Sequence, residues 1–267
     1  MTARRHSELQ TPNSKLVFLH GWATNSNVWH YQAKEFSKDY EVITIDLPGH
    51  CGKSTWDEPT LEPAIDMVKS HIPHPTSHII VGIGWSLGAM VLMQMAYLNP
   101  GLFKGLILIG ATSKFVAHKT FPWGQPLAVA KRMLKDIKKN FNKTTERFYP
   151  LNFTEEELAN REAKEFIEFY QSKSKKFSQE SIITALEALL SVDLREAISD
   201  INIPVLLIQG EKDNVCPVKA GQCLSENLPN AKLKVFKETG HAPFLTRAKA
   251  FNAIVQGFLE RTVCART

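Results

Sequence analysis

The sequence predicts an α/β protein: a mostly parallel central sheet with helices on both faces and a helical insertion. Three observations carry that reading. Short apolar runs bounded by Gly, Pro, Asn or Asp recur along the chain, stretches long enough for helical crossovers separate the first four, and the middle of the chain holds no strand-like run.

Leu16–Leu19 is the first run and ends in His20-Gly21-Trp22; Val42–Ile45 is the second and ends in Asp46-Leu47-Pro48-Gly49. Pro63–His71 reads as a crossover helix, Ile79–Val81 as the third strand, Leu87–Leu98 as a second helix and Leu106–Ile109 as the fourth strand. From Lys114 to Ser191 helical pattern rich in Lys, Glu and Phe takes over. Thr154 followed by Glu155, Glu156 and Glu157 predicts a capping box with three acids in the positive first turn of a helix. Leu158, Phe166, Ile167 and Tyr170 would share its buried face. Strands resume at Val205–Ile208 and Leu233–Phe236, so residues 114–191 are expected to form a helical cap inserted between core portions 1–113 and 192–267. There is no internal repeat and no low-complexity tract.

With 267 residues, 43% hydrophobic and 22% charged, 14 Gly and 14 Pro, the chain has the proportions of one globular domain with an insertion, which excludes disorder and collagen-like repeats. A chain of this size buries about 70–75% of its unfolded surface, so its core requires neither disulfides nor a structural metal. Cys51, Cys216, Cys223 and Cys264 form no C-x-x-C pair, which favours a reducing compartment and disfavours zinc. The polar start Met1-Thr2-Ala3-Arg4-Arg5-His6-Ser7, with no long uncharged apolar run anywhere, predicts a soluble cytoplasmic protein in which the sequons at Asn142 and Asn152 carry no meaning.

Net charge is +5, and its placement is lopsided: Lys114 to Lys176 holds 14 Lys/Arg against 8 Asp/Glu, while the rest of the chain holds 18 against 19. The excess is either a solvated helical face or a docking surface for an acidic partner.

Gly84-Trp85-Ser86-Leu87-Gly88 follows the third strand and runs straight into a helix, the context that the G-x-S-x-G pattern requires. A sharp turn there lifts Ser86 above the sheet at the positive end of a helix, with glycines where side chains would collide. A serine hydroxyl is nearly unreactive at neutral pH and needs a base, which in turn needs an orienting acid. Gly210-Glu211-Lys212-Asp213 and Gly240-His241-Ala242-Pro243-Phe244 each stand just past a predicted strand, where open α/β sheets place their sites. His241 is the expected base. Asp213 is favoured over Glu211 as the acid, although alone it also reads as a turn-forming side chain. The glycine loop after the first strand can aim a backbone N–H at a developing oxyanion, which assigns Trp22 and Leu87 as donors. The Trp22 indole would line the substrate pocket, and His20 reads as a structural hydrogen-bonder.

Two other motifs fail on spacing. Gly52-Lys53-Ser54 lacks the leading glycine of a phosphate loop, since that position is Leu47. Gly82, Gly84 and Gly88 miss G-x-G-x-x-G by one residue. Neither a nucleotide nor a nicotinamide cofactor is expected.

Together these residues resemble the α/β-hydrolase superfamily and, within it, the pimeloyl-[acyl-carrier protein] methyl ester esterases of biotin synthesis. The likeness spans most of the chain and rests on Leu19-His20-Gly21-Trp22, Asp46-Leu47-Pro48-Gly49, Gly84-Trp85-Ser86-Leu87-Gly88, Val192-Asp193-Leu194-Arg195 and His241-Ala242-Pro243-Phe244. It implies the α/β-hydrolase fold with an inserted cap, no metal or organic cofactor, and a serine carboxylesterase. The substrate it implies is a methyl ester at the far end of a pimeloyl chain carried on an acidic acyl carrier protein, with no nucleic-acid or membrane partner. By the same resemblance Phe148 would touch the acyl chain and Arg147 would receive the carrier. Lys143 stands where that family usually has arginine, and Arg161 and Lys164 match approximately. A lysine keeps the charge without the two-pronged geometry. Cys51 also departs from the pattern, replacing a glycine of Asp-Leu-Pro-Gly-x-Gly-x-Ser. A general carboxylesterase, thioesterase or carbon–carbon hydrolase would use the same triad, and a ligand receptor could keep the pocket without turnover.

Overall fold

A computed structural model describes residues 14–51, 54–72, 79–173 and 176–263. Of the features singled out in the sequence, Met1–Ser7, the Gly52-Lys53 pair and Cys264 lie outside the described residues. The apolar runs form β1 (Ser14–Leu19), β2 (Glu41–Ile45), β3 (Ile79–Trp85), β4 (Gly105–Ile109), β5 (Val205–Gly210) and β6 (Ala231–Phe236). They build one sheet in the order β2-β1-β3-β4-β5-β6, with every pairing parallel. β1, β4 and β5 are buried along their whole length, which is why they read as unbroken apolar runs. β6 lies at an edge and alternates, with Lys232 and Lys234 exposed, a charge pattern that discourages pairing with another chain.

Around the sheet run α1 (His30–Phe36), α2 (Glu62–His71) and α3 (Leu87–Leu98). Between β4 and β5 come α4 (Leu127–Lys139), α5 (Phe141–Phe148), α6 (Arg161–Lys173) and α7 (Gln179–Ser191). α8 (Val218–Asn227), the short α9 (Pro243–Thr246) and α10 (Ala248–Val263) complete the chain. α1 packs with α10, α2 with α3, and α8 against β5 and β6. α3 has its first seven residues buried, as befits the helix that follows the most central strand.

The segment from α4 to α7 adds no strand among the described residues. Its two ends meet beside the sheet: Lys114 and Asp193 form an antiparallel bridge, and the Lys114 ammonium lies 3.1 Å from the Asp193 carboxylate. Arg195 grips the same carboxylate through two nitrogens at 2.8 and 2.7 Å. The guanidinium, with Lys114 behind it, holds the Asp193 carboxyl well below the usual range. Above the sheet, Tyr149, Phe153, Phe166 and Tyr170 are buried in an aromatic cluster, with Phe166 4.8 Å from Tyr170 and 5.3 Å from Phe153. Burial of such rings contributes about 1.5–3 kcal/mol each.

One expectation is corrected here. Thr154 and Glu157 do exchange capping-box hydrogen bonds, at 3.0 and 3.1 Å, but they close only a three-residue 3₁₀ turn, Glu157–Ala159. Asn160 is extended (φ −71°, ψ 149°) and breaks the path, so α6 starts at Arg161. Glu155 and Glu156 face solvent, whereas Glu157 is buried. Phe166 and Tyr170 share the buried face of α6, and Leu158 packs from the preceding turn.

Candidate active site

β3 runs on past the apolar stretch through Gly82, Ile83 and Gly84 to Trp85, and α3 starts at Leu87, leaving Ser86 alone to make the turn. Its backbone is held at φ 54°, ψ −113°, a conformation that non-glycine residues rarely adopt. The Ser86 N–H donates to Ile109 O on β4 at 2.8 Å, and its carbonyl accepts from Ala89 and Met90, which fixes the turn on both sides. The flanking glycines are sterically required. A Cβ on Gly84 would lie 2.6 Å from Gly88 O, and one on Gly88 would lie 2.5 Å from Leu19 O. Strand, helix and the loop after β1 therefore touch backbone to backbone at this point.

Beyond the ends of β5 and β6, His241 Nδ1 lies 2.6 Å from Asp213 Oδ2, with both residues buried. The other Asp213 oxygen accepts from the N–H groups of Val215 and Cys216, each at 2.8 Å. An acceptor on Nδ1 fixes the tautomer, so that Nε2 carries the free lone pair. Nε2 is buried without a hydrogen-bond partner among the described residues. Catalytic hydrogen bonds commonly tighten only once substrate is bound. Glu211, the rival acid, is exposed and accepts from the Glu238 N–H at 3.1 Å.

His241 is held on every side. Its N–H donates to Asn152 O at 2.8 Å, its carbonyl accepts from Trp85 Nε1 at 3.0 Å, and its ring packs 5.3 Å from the Trp85 ring. Cys216, whose N–H donates to Asp213, is 2% exposed and carries a free thiol. Burial, reinforced by the Asp213 carboxylate, pushes that thiol well above its ordinary pKa, so it stays protonated and is no competing nucleophile.

The pairing of Leu19 with Gly84 and the contact at Gly88 bring the loop after β1 beside the first turn of α3. The Trp22 N–H makes no backbone hydrogen bond among the described residues, and Leu87, first in its helix, has no intrahelical acceptor. Next to Trp22, Ala23 sits at φ 54°. His20 has the structural role expected of it: Nδ1 lies 2.8 Å from Gly21 O and Nε2 accepts from the Leu47 N–H at 2.9 Å. Burial lowers its pKa to about 4. His50, 5.0 Å away ring to ring, donates from Nδ1 to Pro48 O and is lowered to about 3 by burial and by the neighbouring His20.

A family model described as the alpha/beta hydrolase fold matches residues 15–248. The chain belongs to the α/β-hydrolase family. Among its relatives is a pimeloyl-[acyl-carrier protein] methyl ester esterase of Vibrio parahaemolyticus, 30% identical over 260 residues, or 97% of this chain and 100% of that one. Another protein of that name, from Salmonella newport, is 31% identical over 246 residues, 90% of this chain and 91% of the relative. Among solved structures, an esterase from Exiguobacterium antarcticum matches with a TM-score of 0.83 over 92% of both chains at 25% identity.

In this α/β-hydrolase the segment between β4 and β5 brings Phe148 to the loop after β1. Phe148 meets Trp22 edge-on at 4.9 Å, and the Trp22 indole N–H donates to Ile182 O in α7 at 2.8 Å. Lys143 and Arg147 are exposed one turn apart on α5 and make no ion pair among the described residues; the same holds for Lys164 on α6. Arg161 is exposed too, but Glu165 takes its charge at 2.6 Å. On α4, Lys131, Arg132, Lys135, Lys138 and Lys139 are all exposed.

Sequence reasoning missed the groups that tie this roof to the site. Tyr149 donates to Ala23 O at 3.1 Å, Tyr170 to Asn25 Oδ1 at 2.8 Å, and Asn152 O and the Glu157 carboxylate hold the Gly240-His241 loop. Only the Thr154–Glu157 spacing signalled any of this, and it signalled a helix cap.

Among the described residues no group of three or more His, Cys, Asp or Glu could hold a metal ion, and no helix is long and apolar enough to cross a membrane.

Proposed function

We propose that this chain is a serine carboxylesterase that hydrolyses the methyl ester of pimeloyl-[acyl-carrier protein] in the cytoplasm and frees the terminal carboxylate for biotin synthesis. The observation that carries the reading is the buried His241–Asp213 pair, with Nε2 free, packed against Trp85, the residue immediately before a serine on a strained strand-to-helix turn. The near-full-length relatives named for that reaction support the choice of substrate.

Ser86 Oγ attacks the ester carbonyl while its proton passes to His241 Nε2, and Asp213 steadies the imidazolium through Nδ1–H. The backbone N–H groups of Trp22 and Leu87 face the oxyanion. Collapse of the tetrahedral intermediate expels methanol, which takes the proton from Nε2 and leaves an acyl-Ser86 ester. A water molecule then gives a proton to Nε2 and attacks that ester; as the second tetrahedral intermediate collapses, the leaving Ser86 Oγ takes that proton back from Nε2 and the free acid departs. Phe148 and Trp22 contact the acyl chain, while Lys143, Arg147, Lys164 and, less directly, the Glu165-paired Arg161 meet the acidic carrier. The helical segment 114–191 acts as the cap that brings these groups together.

The test is the rate of methyl ester cleavage on carrier-bound pimeloyl methyl ester and on the same ester free, with Ser86→Ala as blank. The expected result is a strong preference for the carrier-bound form, abolished with Ser86→Ala. Equal cleavage of both would demote the protein to a general esterase.

A further inference from the structure

Glu157 is 2% exposed, yet it forms no ion pair among the described residues. Its charge is met by three neutral donors. Oε2 accepts from the N–H of Thr154 at 3.0 Å and of Gly240 at 2.8 Å, and Oε1 accepts from the Thr246 hydroxyl. A buried carboxylate is costly unless its lone pairs are filled, so this site is built to hold one. Two of the donors lie outside the 149–159 stretch and flank His241: Gly240 immediately before it, Thr246 in α9 just after it. The Asn152 carbonyl, from the same stretch, takes the His241 N–H itself. A Cβ on Gly240 would lie 2.7 Å from that carbonyl, a measure of how closely the two backbones are pressed together.

We propose that Glu157 is a positioning residue for the reaction: it clamps both ends of the turn that carries His241, so the roof over the site and the catalytic base move as one body. The proposal rests on the reading of His241 as base to Ser86. Glu157 touches neither substrate nor reacting atoms. It acts by keeping Nε2 within reach of Ser86, and a misplacement of about 1 Å at such a point can cost about 100-fold in rate.

The experiment compares wild type, Glu157→Leu and Glu157→Gln on p-nitrophenyl acetate, a substrate with no carrier to bind, and follows labelling of Ser86 by a fluorophosphonate. Leucine abolishes all three acceptor bonds. Glutamine keeps an oxygen for the two N–H groups and offers its NH₂ to the Thr246 oxygen. The expected result for Glu157→Leu is kcat and the labelling rate both down about 100-fold, with KM nearly unchanged. Glu157→Gln should recover most of that loss. Wild-type kcat in folded Glu157→Leu, or a lowered melting temperature with unchanged turnover, overturns the proposal while the triad reading stands. Failure of wild-type Ser86 to label overturns both. Should Glu157→Leu not fold, Thr246→Val decides: a severalfold fall in kcat at constant KM is expected, and unchanged kcat overturns the clamp.

Discussion

The buried His20–His50 pair predicts a specific acid sensitivity. Each imidazole is neutral in the fold, and protonation would set a new N–H of His20 against the Leu47 N–H, or strand one of His50 with no acceptor. Their folded pKa values, about 4 and about 3, lie below the ordinary 6.5 that the unfolded chain regains. Below pH 6.5 the unfolded state therefore binds protons that the folded state refuses. The stability these residues contribute is complete above 6.5 and is lost as pH falls towards 4. Between pH 7 and 5 linkage gives a loss of about 2 kcal/mol for each histidine, or about 4 kcal/mol for the pair, against a typical total of about 5–15 kcal/mol. Urea unfolding followed by tryptophan fluorescence at pH 7, 6 and 5 measures it. His50→Phe, whose ring would join Trp56 and Phe177, removes one of the two sites. Other acid-sensitive groups act equally on both proteins, so the wild type should lose about 2 kcal/mol more than the variant over that interval. Parallel losses, or an imidazole resonance of His50 titrating near 6.5, would refute the reasoning.

Asp213→Asn should lower kcat by about 10³–10⁴-fold while leaving the fold intact, because the acceptor on His241 Nδ1 and with it the tautomer are lost; steady-state kinetics beside a melting curve checks this. Gly88→Ala forces a methyl group to within 2.5 Å of Leu19 O, and the first turn of α3 must retreat. The expected cost is about 1–3 kcal/mol in urea unfolding, together with a fall in kcat as the Leu87 N–H moves. A Lys143→Ala, Arg147→Ala double variant should raise KM for carrier-bound ester and flatten its salt dependence, since exposed charges are screened over about 10 Å at 0.1 M. Cleavage of the free methyl ester should not change.

The sheet was legible because β1, β4 and β5 are buried on both faces and so announce themselves as apolar runs. The apolar run of β3 shows only its first three residues because Gly82 and Gly84 interrupt it, although both belong to the strand. The turn at Ser86 and the His241–Asp213 pair were legible for a different reason: each residue sits in a short local pattern at the end of a strand. What surrounds them was not. Trp85 Nε1 reaches the His241 carbonyl across 156 residues, and Glu157 reaches Gly240 across 83, and no local pattern encodes such pairs. Thr154–Glu157 shows the limit most clearly, because its spacing predicts a helix start where the chain makes only a 3₁₀ turn. Glu157 also accepts from Gly240 and Thr246, and the helix begins only after the extended Asn160.

The bridge between Lys114 and Asp193 has an evolutionary consequence. Because the chain departs and returns at neighbouring points, the strands beneath do not sense the length of what lies between; doubling a loop closed at fixed ends costs only about 0.6 kcal/mol. The intervening helices thus form a cassette that can be exchanged, lengthened or recharged without rewriting the sheet. The freedom has one boundary. A foreign cassette grafted at 114 and 193 must bring its own equivalents of Tyr149, Asn152 and Glu157, or it will inherit a folded scaffold whose histidine loop has lost its anchor.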